Sequence, residues 1–174
     1  MISLNKTILP GHLAQSVEQE FTISFGGLLL LNMDTKRCGN IGEAVAISNF
    51  VKYGIPVYLP FGDNERADLI AEFGGKLNKI QVKTSVYASD GKMVFDLTSS
   101  TVHRKNGVRH KYNNKEIDYF FCYNVERDKS FLIKAPDKPI SVFTIRYEAS
   151  KNNQTKNINY EHEYLFENIV NSLI

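Results

Sequence analysis

Strict alternation of apolar and polar positions fills the middle of the chain, while helical spacing is confined to two stretches nearer its ends. The sharpest alternation lies in ADLIAEFGGKLNKIQVKTS, Ala67 to Ser85. There it sets Leu69, Ala71 and Phe73 on one face and Asp68, Ile70 and Glu72 on the other. Gly74-Gly75 interrupts the pattern and supplies the positive φ angles of a two-residue hairpin turn. With those glycines as the loop, Phe73 faces Lys76 and, counting outward, Asp68 faces Gln81. Opposed residues point to the same side of a sheet, and Lys83, two residues past Gln81, shares that side. The hairpin therefore gathers a carboxylate, an amide and an ammonium into one patch.

The flanking pattern predicts the remaining elements. Residues 39 to 53 carry Ile41, Ala44, Val45, Ser48 and Val51 or Phe50 at helical spacing, with Gly54 as C-terminal cap and Pro56 preventing restart. This start puts Glu43 in the first turn, where a carboxylate suits the helix dipole. Ile55 to Leu59 reads as a short strand and Pro60 to Glu65 as a turn-rich loop. Lys92 to Ser99 reads as a strand entered through the Asp90-Gly91 turn. Ile117 to Val125 is a near-continuous apolar run, as in a strand buried on both faces. Ser130 to Ile133 pairs with it across Glu126 to Lys129, and Ser141 to Tyr147 is a further strand. Ala149 to Asn159 is polar and reads as loop. His162 to Ile174 returns to helical spacing. A helix, several strands and a closing helix make an α+β fold with a mixed sheet.

Residues 1 to 32 differ in character. Phe21 to Phe25 alternates ahead of Gly26-Gly27, so a hairpin is one reading. In the other, Leu13 to Gln19 resembles the conceptual translation of the conserved arm of a transfer-RNA gene, which makes Met33 the start of the protein. The expected organisation is an extension over 1–32 and a working domain over 33–174. Composition narrows the class: 174 residues with 43% hydrophobic content suit one domain with a real core. Net charge is +2, so affinity for nucleic acid has to come from local basic clusters. No apolar run is long enough for a membrane span, and no secretory leader pattern is evident. Cys38 and Cys122 form no metal-spaced pair, and a reduced, cytoplasmic protein is the expectation.

The patch on the hairpin has the parts for phosphodiester hydrolysis. That reaction requires an attacking water and stabilisation of charge on the phosphate, both of which a divalent cation supplies. Asp68 offers a full carboxylate and Gln81 a neutral carbonyl oxygen. Glu43 joins them if its helix packs on the hairpin, and Lys83 orients water or contacts the phosphate as a point charge. Asp63 competes with Asp68, but only Asp68 faces Gln81 in the proposed register. Glu72 lies about two ladder steps away, ~13 Å, and reads as solvated. Ser85 continues the Gln81 and Lys83 side, as a phosphate contact or a plain surface serine. Thr101 to Glu116 is strongly basic; Arg104, Lys105, Arg109 and Lys111 mark either a DNA-facing loop or a solvated one. Asp118, opening the buried strand, reads as a structural acceptor.

Glu on a first helix, then Asp, then Gln-Val-Lys on the next strand resembles the PD-(D/E)XK nuclease superfamily. More narrowly, N-E-R-A-D-L-I followed by G-K-L-N-K-I-Q-V-K-T-S, with E-I-D-Y-F-F-C-Y from Glu116 to Tyr123, resembles its group I intron homing endonuclease branch. There the usual final acid is replaced by glutamine, as at Gln81. The similarity spans roughly Met33 to Phe166. It implies a restriction-endonuclease-like core, a mixed sheet flanked by helices, with Glu43, Asp68, Gln81 and Lys83 as catalytic residues. It further implies Mg²⁺ (with Mn²⁺ as substitute) on Asp68, Glu43 and Gln81, and double-stranded DNA as substrate. A target longer than one small domain spans then calls for a homo-oligomer, dimer or tetramer. The transfer-RNA-like segment points the same way, since group I introns often interrupt transfer-RNA genes. Two other readings stay open: a junction-resolving nuclease, and a non-catalytic DNA-binding module on the same fold.

Overall fold

The structure is a computed structural model in which residues 34–62, 65–99, 109–150 and 156–174 are described. Residues Thr35 to Ile174 form one compact unit. Two sheets organise it. The first has five strands in the order β1-β2-β3-β6-β7: β1 (Val57–Tyr58), β2 (Leu69–Phe73), β3 (Lys76–Ser85), β6 (Tyr119–Asn124) and β7 (Lys129–Lys134). The second has four in the order β4-β5-β8-β9: β4 (Ala88–Ser89), β5 (Lys92–Asp96), β8 (Val142–Arg146) and β9 (Asn159–Tyr160). Helix α1 (Thr35–Lys52) precedes them, and α2 (Glu161–Tyr164) and α3 (Phe166–Asn171) close the chain.

The central hairpin has the register that the Gly-Gly turn dictates. Phe73 pairs with Lys76 and Leu69 with Ile80, while Gly74 and Gly75 sit at φ +61° and +72°, which a β-carbon would resist. Buried Asn78 ties the turn together, its Nδ2 donating to the carbonyls of Phe73 (3.0 Å) and Lys76 (3.1 Å). β3 then pairs in parallel with β6, Gln81 beside Phe120 and Lys83 beside Cys122. A parallel partner needs a long crossover, and the chain uses it to lay down β4 and β5.

β6 is the shared wall of two cores. Phe121 and Tyr123 face one cluster with Ala46 and Phe50 of α1, Leu69, Ala71, Ile80, and Phe166 and Val170 of α3. Phe120 and Cys122 face the other, with Met93, Phe95 and Ile145 of the second sheet. This two-sided burial is why the run from Ile117 to Val125 does not alternate. Phe50 anchors the first cluster, stacked on Phe73 at 5.9 Å and edge-on to Phe166 at 5.0 Å; such aromatic pairs add about 0.5–1.5 kcal/mol beyond area burial. The mixed sheet thus carries helices on one face and a second sheet on the other.

Three expectations change in detail. α1 begins at Thr35, so Glu43 sits in mid-helix rather than in the first turn. Its buried line is Cys38, Gly42, Ala46 and Phe50, while Ala44 and Ser48 are exposed; spacing of apolar letters cannot see that a glycine forms the point of closest approach. The strand expected over Ile55 to Leu59 shrinks to β1, and the C-terminal helix breaks at Leu165, whose ψ of 131° places it in a bridge with Phe131. The cap expected at Gly54 is present: φ is +71°, and its N–H donates to the Val51 carbonyl at 2.9 Å.

Candidate active site

Asp68 immediately precedes β2, where the hairpin ladder ends. Its N–H still donates to the Ile80 carbonyl at 2.9 Å, which fixes the backbone and turns the side chain toward β3. One carboxylate oxygen, Oδ2, accepts from the Val82 N–H at 2.6 Å and from the Gln81 Nε2 at 2.5 Å. A carboxylate only accepts, so the Gln81 amide is held nitrogen-inward. Burial raises the Asp68 pKa above its ordinary value, against the opposing pull of the Val82 N–H, the Lys83 ammonium and the Gln81 amide.

Glu43 approaches from α1. Its pKa is raised first by partial burial and then by the negative charge of Asp68. Two carboxylates therefore share a neighbourhood in which each is costly to ionise. The close approach comes from Gly42, buried one residue earlier, where a β-carbon would stand 2.0 Å from Thr84 Oγ1 and 3.2 Å from Val82 Cγ1. Glu43 and Asp68 line a cleft of about 380 Å³ together with Leu59, Pro60, Gly62, Glu65 and Ala67. A larger cavity of about 450 Å³, lined by Asn49, Lys52, Lys129 and Ser130 among others, lies elsewhere against α1. It contains none of the four predicted catalytic residues, and its Asn49 and Ser130 bond each other at 3.0 Å.

Lys83 lies on the same β3 face as Gln81, largely withdrawn from solvent. Burial lowers its pKa, while Asp68, Asp96 and the Cys122 side raise it and Arg109 lowers it further. Its Nζ donates to the Thr98 carbonyl at 2.8 Å and stands 5.1 Å from the centre of the Tyr112 ring. Thr98 is held in turn by Asp96, whose Oδ1 accepts from the Thr98 N–H (2.9 Å) and hydroxyl (2.6 Å). Arg109 pairs with Asp96 Oδ2. Asp96, Thr98 and Tyr112 escaped the sequence reading because they hold Lys83 through a backbone carbonyl and a ring. Gly42 left a trace, as a glycine inside a helical run.

Of the predicted residues, Glu43, Asp68, Gln81 and Lys83 come together. Ser85 continues that strand, its Oγ 3.4 Å from the Tyr87 carbonyl. Arg109 and Lys111 stand exposed, and Thr98 and Lys111 form a bridge. Arg104, Lys105 and the competing Asp63 lie outside the described residues. Glu72 is exposed and accepts from the Tyr58 hydroxyl at 2.9 Å. Asp118 is a structural acceptor, taking the Lys76 ammonium at 3.0 Å and the Lys79 N–H at 2.9 Å.

Among the described residues, no three His, Cys, Asp or Glu side chains converge. Two carboxylates do, and both are raised in pKa, one partly by the other. Oxygen donors that repel each other until a cation neutralises them suit a hard ion that keeps much of its own water. The residues fit such an ion, with the Gln81 carbonyl as the further oxygen once its amide turns.

Comparison with known proteins gives the family and the fold. The chain matches the family model described as PD-(D/E)XK endonuclease over residues 33–167. The solved structure of a bacterial homing endonuclease, I-Ssp6803I, superposes with a TM-score of 0.63 at 24% identity, covering 80% of this chain and 95% of that one. At that identity the likeness establishes a shared restriction-endonuclease-like fold. No curated protein sequence matches. A helix carboxylate, an aspartate at the strand's root and a Gln-x-Lys pair on the next strand, within a family match that spans most of the chain, make this protein a member of the PD-(D/E)XK endonuclease family.

Proposed function

We propose that the protein is a Mg²⁺-dependent endonuclease of double-stranded DNA, site-specific and of the intron-associated homing type. The observation that carries this reading is the convergence of Asp68, Gln81 and Lys83 on one face of the hairpin, with Glu43 brought alongside by α1. Asp68 and Glu43 hold the cation, with the Gln81 carbonyl completing the protein's oxygens; Mn²⁺ is the natural substitute. When bound, the ion supplies the concentrated positive charge that phosphodiester hydrolysis draws on. Lys83, fixed by Thr98 and desolvated, aims its ammonium at the scissile phosphate and orients the attacking water. Charge-assisted contacts of this kind are strongest where water is excluded. Water attacks in line with the departing 3′ oxygen, leaving 5′-phosphate and 3′-hydroxyl ends. Arg109 and Lys111, with Arg104, Lys105 and Ser85, contact the DNA. A target longer than one domain spans makes the working form a homo-oligomer.

The test is cleavage of intronless target DNA by purified protein with Mg²⁺. Asp68→Ala and Lys83→Ala are each expected to abolish it while leaving the fold intact by circular dichroism. Undiminished cutting by either variant rejects the assignment. Cutting of a four-way junction without sequence preference would select the junction-resolving reading instead.

A further inference from the structure

The mouth of the cleft carries a feature that hydrolysis does not use. Tyr58, Leu59 and Phe61 are 50%, 65% and 103% exposed, and Phe61 stands wholly clear of the protein. Every other described phenylalanine is buried or half-buried. Both chain neighbours of Phe61, Pro60 and Gly62, line the cleft that holds Glu43 and Asp68. Pro60 has a fixed φ and Gly62 sits at φ +89°, so the backbone that carries the ring turns between two residues that line the carboxylate cleft.

Isolated apolar side chains on a surface need no explanation; this one is placed by its charge environment. Among the described residues, those lining the cleft include Glu43, Glu65 and Asp68 and no cation. Along this rim the described residues offer a phosphate no partner, so a nucleic acid held by its scissile phosphate at Lys83 would turn a base rather than its backbone toward Phe61. A second copy of the chain docked on Phe61 would cover the opening through which that phosphate must enter.

We propose that Phe61 is a wedge that enters duplex DNA beside the scissile phosphate and opens the stack at one base step. This inference rests on the nuclease reading above. Apolar wedges partly unstack the step they enter, and pyrimidine–purine steps yield most easily. The enzyme then prefers a flexible step at a fixed offset from the cut without a hydrogen bond to its bases.

The experiment maps cuts with Mg²⁺ in a library of the intronless target DNA randomised around the cut, for the full chain and for Phe61→Ala, Phe61→Trp and Asp68→Ala. Wild-type cuts are expected to be enriched in pyrimidine–purine steps at one offset. Phe61→Ala loses that enrichment and cuts about ten- to a hundredfold more slowly, in proportion to a lost base-stacking contact. Phe61→Trp retains both enrichment and rate. Wild-type rate and preference in Phe61→Ala, with Asp68→Ala inactive, overturns the wedge and leaves the nuclease reading standing. Cutting by Asp68→Ala equal to wild type overturns both. A fall in oligomer size for Phe61→Ala by sedimentation, with unchanged cut preference, assigns the ring to self-association and also overturns the wedge.

Discussion

Gly42→Ala is the smallest change that should uncouple the two halves of the site. The glycine lies in α1 one residue before Glu43 and faces β3. A β-carbon there would stand 2.0 Å from Thr84 Oγ1, where ordinary contact begins at 3.4 Å, so about 1.4 Å must be found. Rotating Thr84 does not find it. Its Cβ is itself 3.3 Å away and Val82 Cγ1 is 3.2 Å away, and a β-branched side chain has few rotamers to use. The helix must lift by roughly 1 Å. Overpacking of this kind costs about 1–3 kcal/mol, and each kcal/mol lowers Tm by about 2–4 °C in a chain of this size. The effect on rate is larger, because a misplacement of about 1 Å in a reacting group costs on the order of a hundredfold.

The partner substitution makes the reasoning specific. Thr84 Oγ1 is buried with no hydrogen-bond partner among the described residues, so Thr84→Ala alone should stay within about 1 kcal/mol of wild type. In the double variant Gly42→Ala/Thr84→Ala the 2.0 Å clash disappears, and contacts of 3.2 and 3.3 Å remain to be relaxed. Thermal melts and Mg²⁺-dependent cleavage rates should show Gly42→Ala impaired in both and the double variant restored in most of each. A fully active Gly42→Ala, or a double variant no better than the single, refutes the claim that this contact sets the reach of Glu43.

Asp68→Asn should melt higher than wild type in EDTA at neutral pH while cutting about a hundredfold more slowly or worse, the scale of losing one transition-state contact. Asp68 has its pKa raised on folding, so its ionised form opposes folding as pH rises through the folded value; the variant's advantage should fade as pH falls toward the ordinary 3.8. Gln81→Glu replaces the donor beside Asp68 with a second anion; melting in EDTA should fall by the equivalent of about 1–3 kcal/mol, and Mg²⁺ should restore more of it than it adds to wild type. Asp96→Asn removes the Arg109 pair and weakens the hold on Thr98, and with it Lys83. It should lower kcat about five- to tenfold, the worth of one ordinary hydrogen bond, while the β3 backbone amides keep their protection in hydrogen exchange.

The hairpin was the legible part of the sequence because its information is local. Period-two alternation sets the faces, Gly74-Gly75 sets the turn, and the register then puts Asp68 opposite Gln81 with no tertiary knowledge. β6 was legible for a similar reason, since a strand buried on both faces cannot alternate. For α1 the spacing gives the right type and part of the face: Phe50 is in the core and Ile41 and Val45 pack at its edge, but the fully buried line runs through Cys38, Gly42 and Ala46, where closeness matters more than apolar area. The second sheet was legible only as separate strands, β5 and β8, which lie far apart in sequence and pair at Met93–Ile145. Leu165 carried the helical spacing that its backbone does not follow. What holds Lys83 was illegible in kind: a carbonyl, supplied by whichever residue occupies that spot on the chain, has no signature among side chains.

Glutamine at position 81 is the departure that most invites the reading of a decayed site, and the geometry argues the other way. Asp68 is half-buried and next to Glu43, so an acid at position 81 would set a third negative charge against two that already resist ionising. The amide instead gives Asp68 a hydrogen bond through Nε2 at 2.5 Å. The same group carries an oxygen of the kind a hard cation accepts, and half a turn about its last torsion exchanges one for the other. That torsion is broad and low in barrier compared with a change of rotamer. Under the proposed function, one neutral side chain holds the aspartate while the site is empty and offers an oxygen when the ion arrives. The cost is one negative charge fewer holding the ion; the ion then keeps more of its positive charge for the phosphate, to which Lys83, fixed at Thr98, adds its own.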